Sequence, residues 1–104
     1  MDRLTLSQQL AEALALARAE FESVGISFST TPSPEAAVRS LRVDADSERA
    51  LAQVVLYDSG ELDLVVGDAS TGAVLLDEHR EITSHIGITE LINTLFESLG
   101  GATK

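Results

Sequence analysis

Cysteine is absent from the 104-residue chain, and so is tryptophan. Without cysteine there can be no disulfide, no thiol nucleophile and no cysteine-based zinc site. Basic residues are scarce. Seven lysines and arginines face seventeen acids, for a net charge of −10, and the only lysine is Lys104. Nucleic acids and anionic membranes are recognised through a basic footprint, so neither is an expected partner. No apolar run approaches the ~20 residues of a membrane span. Asp2 and Arg3 are not followed by the continuous apolar stretch of a signal peptide. The expected location is cytoplasmic. Catalytic signatures are also missing: there is no Gly-x-Ser-x-Gly elbow and no dinucleotide fingerprint. Asp68-Ala69-Ser70-Thr71-Gly72 lacks the lysine and glycine spacing of a phosphate loop and leads into a strand, not a helix.

What the chain does contain is organised around residues 49–81. Ala50, Ala52, Val54 and Leu56 alternate with Leu51, Gln53, Val55 and Tyr57. Asp58-Ser59-Gly60 follows as a tight turn, since Gly60 can adopt positive φ. Leu62, Leu64 and Val66 then alternate with Glu61, Asp63 and Val65, the clearest period-two pattern in the chain. A second turn closes at Gly72, and residues 73–81 form a further strand with Val74 and Leu76 inward. Short loops make consecutive strands antiparallel neighbours.

The flanks have helical periodicity. Leu6, Leu10, Leu14, Ala17, Phe21 and Val24 recur every three or four residues, predicting a helix over 4–24. Thr5 with Gln8 fits a capping box, with Ser7 as a rival cap, and Gly25 fits a C-terminal stop. Leu91, Ile92, Leu95, Phe96 and Leu99 predict a second helix over 89–99 with Thr89 as N-cap. Residues 82–87 are left open as a loop or a first helical turn. Between the helices lie expected strands at 26–31, 38–45, 49–57, 61–67 and 73–81, the first two separated by a loop punctuated by Pro32 and Pro34. The expected fold is a single α+β domain over residues 1–104. It has two layers: an antiparallel meander of four to five strands, with both helices on one face.

Asp77-Glu78-His79-Arg80-Glu81 and His85 offer residue types suited to a metal or acid–base site. In a strand, Asp77, His79 and Glu81 share one face and Glu78 and Arg80 the other, and no second ligand cluster has metal spacing. Asp58 and Asp63 flank a turn but fall short of a calcium loop. A solvated strand end is the default, and no enzyme, metal or cofactor is expected. The acids of the hairpins are more suggestive: Asp58, Glu61, Asp63, Asp68, Asp77, Glu78 and Glu81 lie within one short segment that has Arg80 as its only cation. Glu61, Asp63, Asp77 and Glu81 are expected at the centre of an outward sheet surface, with Asp58 and Glu78 at its edge. Such a surface either serves solubility or meets a basic protein partner.

The segment Val54–Leu64, then Thr71-Gly72-Ala73, then Asp77–Thr83, resembles small immunity proteins encoded beside bacterial polymorphic toxins. It is similar in particular to the TriTu-type immunity family, over about residues 50–99. The resemblance implies a stoichiometric inhibitor that binds and blocks a toxin domain. A different class also fits: a small homodimeric adaptor or secretion chaperone, with Ala11, Ala15 and Ala19 of the first helix as its seam.

Overall fold

The computed structural model describes residues 5–32 and 39–100. Two helices and five strands follow in the order α1 (Leu6–Ser23), β1 (Ser27–Pro32), β2 (Ser40–Asp46), β3 (Ala50–Tyr57), β4 (Glu61–Asp68), β5 (Val74–Glu81) and α2 (His85–Ser98). The sheet is a meander in the order β1-β2-β3-β4-β5, antiparallel at every pairing. The α+β expectation holds, with five strands. Expectations at Leu4, at Val38, in the loop around Pro34 and in the tail from Ala102 fall outside the described residues.

Local chemistry sets the ends of α1. The Thr5 hydroxyl accepts from the Gln8 amide while the Gln8 side chain accepts from the Thr5 amide, so the capping box forms and Thr5 is the cap. Ser7 is used differently: its hydroxyl donates to Asp58 Oδ1 at 2.6 Å. Gly25, at φ +85°, ends the helix. In α2 the expectation needs correcting. The helix begins at His85, one turn earlier, with Ser84 at the N-cap position. Thr89 lies inside it and its hydroxyl donates to the His85 carbonyl. Gly87 disfavours a helical turn by propensity, yet its lack of a side chain lets the turn fit there. A Cβ built on Gly87 would sit 2.9 Å from Cγ2 of the buried Ile82.

One face of the sheet supplies half the core. Leu41, Val43 and Ala45 of β2, Ala50, Ala52, Val54 and Leu56 of β3, and Leu62, Leu64 and Val66 of β4 are all buried. Leu10, Leu14 and Phe21 of α1 and Ile88, Leu91 and Leu95 of α2 cover them, together with Leu99. The rings of Phe28 and Phe96 pack edge-on to Phe21. Alternation breaks at β5. A register shift opposite Val66 and Gly67 interrupts the ladder, and Val74, expected inward, is 64% exposed. Leu76 is half-buried at the rim of the core.

Candidate functional site

Both helices lie on one side of the sheet, so the other face is open. Cross-strand register fixes what it presents. From β1 to β5 one row runs Ser29, Asp44, Gln53, Val65 and Asp77, and the next runs Thr31, Arg42, Val55, Asp63 and His79. Beyond them Glu61 stands opposite Glu81. At the other end Asp46 lies beside Leu51. The face therefore carries six carboxylates and one guanidinium. That guanidinium is already engaged, since Arg42 Nε donates to Asp44 Oδ2 at 3.0 Å. Between the charges Leu51 is 53% and Val65 38% exposed. They line a shallow depression of about 570 Å³ together with Ser27, Ser29, Asp44 and Gln53.

The acids of the hairpins divide into two groups. Glu61, Asp63, Asp77 and Glu81 come together on the open face of β4 and β5. Glu61 opposite Glu81 is a like-charge cross-strand pair, which disfavours the free fold mildly. His79 offsets part of this. Its Nδ1 lies 2.8 Å from Asp63 Oδ1, and that hydrogen bond raises the imidazole pKa above its ordinary value of 6.5. Desolvation, the next-largest effect, opposes it, and the charges of Asp63, Glu61 and Glu81 add to the rise.

The other three acids have local duties. Asp58 receives both the hydroxyl and the backbone N–H of Ser7, placing its charge at the start of α1 where the helix dipole favours an anion. Asp68 accepts from the Ser70 hydroxyl and from the backbone N–H of Ser70 and Thr71. These bonds hold its carboxyl below the usual range, so the turn before β5 is built on an aspartate. Glu78 points to the helix side of β5, paired with Arg80. Sequence periodicity separated Glu78 from Asp77 and Glu81, but the contact between Asp58 and Ser7 links residues 51 positions apart and has no local signal. Leu51 and Val65 as exposed apolar neighbours of the acids were also missed. Alternation sets both opposite the core residues of their strands, and with the helices covering only that other face they stay exposed beside the acids.

Among the described residues no three or more His, Asp or Glu side chains converge to hold a metal ion, and no helix is long and apolar enough to cross a membrane. The arrangement offers a broad surface, acidic on β4 and β5 and again on β2, with exposed Leu51 and Val65 between, suited to contact with another macromolecule. No curated protein matches the chain. A family model described as "Immunity protein TriTu" matches residues 8–98, from the first turn of α1 to the last residue of α2 and across all five strands. With most of its length covered by that match, the chain belongs to the TriTu family of immunity proteins.

Proposed function

We propose that the chain is a non-catalytic immunity protein that binds a cognate toxin domain and blocks it with the open face of its sheet. Family membership supports toxin neutralisation. The observation that carries the choice of surface is the group Glu61, Asp63, Asp77 and Glu81, held on the open face of β4, whose opposite face is committed to the core, and of its edge neighbour β5. Such a group steers a basic partner in, and the apolar strip of Leu51 and Val65 beside it gives the docked partner something to desolvate. Asp58 and Glu78, occupied by Ser7 and Arg80, stand at the margin of this contact.

The test compares two exposed apolar residues on opposite sides of the molecule. Val65→Arg adds bulk and a like charge to the proposed contact; Leu16→Arg does the same on α1, where Leu16 is 88% exposed. Binding to the cognate toxin domain is measured by titration. Val65→Arg should abolish stoichiometric inhibition and Leu16→Arg should leave it intact. The reverse result would transfer the contact to the helix layer, the surface that a homodimeric adaptor would use.

A further inference from the structure

The two edges of the sheet are not equivalent. In an antiparallel ladder, residues that exchange hydrogen bonds with one neighbour point their main-chain groups away from the other. The Ile82 amide donates to the Gly60 carbonyl at 2.7 Å. With the observed register, Arg80, Glu78 and Leu76 then bond to Leu62, Leu64 and Val66. The main-chain N–H and C=O groups of Asp77, His79 and Glu81 therefore point away from β4. Among the described residues no backbone partner reaches them.

At the other edge the Ser47 amide donates to the Ala50 carbonyl. The odd-numbered residues of β2 thus serve β3 and the even-numbered ones serve β1. The outward positions of β1 are Phe28, Thr30 and Pro32. The Phe28 carbonyl accepts from Arg18 Nη1 at 3.2 Å, and that guanidinium also lies over the Phe28 ring. Pro32 has no N–H to offer. The β1 edge is blunted by two of the usual devices, a covering side chain and a proline. The β5 edge has neither and is eight residues long.

Charge distinguishes what the open edge accepts. Asp77, Glu78 and Glu81 line it against Arg80, with Glu61 and Asp63 directly behind on β4. Two copies of such an edge repel each other, whereas a strand carrying lysine or arginine at alternate positions would set them against Asp77 and Glu81. Val74 and Leu75, 64% and 56% exposed, lie at the same edge.

We propose that the β5 edge accepts an extended, basic segment of the toxin as a sixth strand. The segment would bond to the main chain of Asp77, His79 and Glu81 and lay its basic side chains over the acids of the open face. This rests on the reading of the chain as a toxin-binding immunity protein. It adds that main-chain pairing at one edge supplies affinity, as it does wherever a peptide extends a sheet.

The experiment uses the full chain and the cognate toxin domain. Amide exchange is followed residue by residue, free and in complex. Asp77, His79 and Glu81 should exchange fast in the free protein and at least about tenfold more slowly when bound. His79→Pro removes one outward donor at an edge position that tolerates proline. It should weaken binding about 100-fold relative to His79→Ala, which removes the same imidazole but keeps the N–H. Equal binding by the two variants, or unprotected amides in the complex, would overturn the edge pairing. If His79→Pro does not fold, exchange in the parent protein decides. A β5–β5 homodimer by light scattering would also overturn it. If the toxin binds and Val65→Arg disrupts it while the three amides stay unprotected, the edge proposal falls alone. If the toxin does not bind at all, both fall.

Discussion

Replacing Leu64 by alanine tests the register on which every statement about the open face depends. Leu64 is fully buried, and its cross-strand partner Val54 is buried as well. Removing three carbons from a site without solvent costs about 2.4 kcal/mol at ~0.8 kcal/mol per buried group. A cavity of a few tens of Å³ left behind adds about 1 kcal/mol at ~24 cal/mol per Å³. The sum, about 3.5 kcal/mol, would be read as a fall in the denaturation midpoint at unchanged m-value. A domain with ~5–15 kcal/mol of stability survives it. The neighbouring residue Val65 points the other way and is 38% exposed, so Val65→Ala should cost less than about 1 kcal/mol. The contrast is sharper than either value, because a slip of one residue would exchange the two. A loss below ~1 kcal/mol for Leu64→Ala, or similar losses for both, would refute the facing of β4 and with it the acidic open face.

Gly60 has φ +104°, and a Cβ there would lie 2.5 Å from the Ile82 carbonyl oxygen, whereas Gly72, at φ +78°, has open space around it. Gly60→Ala should therefore cost about 2–4 kcal/mol and Gly72→Ala about 1 kcal/mol, and equal costs in denaturant melts would contradict the close approach. Asp58→Ala should lower stability by about 1–2 kcal/mol through loss of the Ser7 contacts at the start of α1 and leave the toxin association rate unchanged; a slowed association would return Asp58 to the interface. His79 has a folded pKa raised above 6.5, so its contribution to stability is fully present below that value and lost as pH rises through the folded pKa. The stability advantage of the parent over His79→Gln should disappear across that window, and a pH-independent difference in melts would rule out the charged pair with Asp63.

The sequence made the sheet legible because β3 and β4 are covered on one face only, which leaves strict alternation in their residues. It misled at β5, where a bulge and an edge position break the pattern. Val74 therefore looks like a core residue yet is mostly exposed. It misled again at α2, where Gly87 counts against helix by propensity but is required by Ile82, which reaches it from before the helix. Of the candidate acids, alternation correctly set Glu61 and Asp63 outward with Asp77 and Glu81 able to lie near them. The engagement of Asp58 by Ser7 depends on where α1 docks, and no local pattern encodes that. The difference between the two sheet edges was equally hidden. It depends on which main-chain groups point outward and on Arg18 reaching across from α1 to the Phe28 carbonyl.

The most direct test of the acidic face as the toxin contact is the association rate of a variant carrying Glu61→Gln, Asp63→Asn, Asp77→Asn and Glu81→Gln. It would be measured against the cognate toxin domain over a range of salt concentrations. In the free protein these carboxylates repel, Glu61 and Glu81 most directly, so at a pH above the folded pKa of His79, where its charged pair with Asp63 no longer contributes, neutralisation should leave stability unchanged or slightly higher. In the encounter they attract, so association at low salt should slow by about tenfold or more and lose most of its salt dependence. An association rate at low salt equal to that of the parent protein would contradict the account.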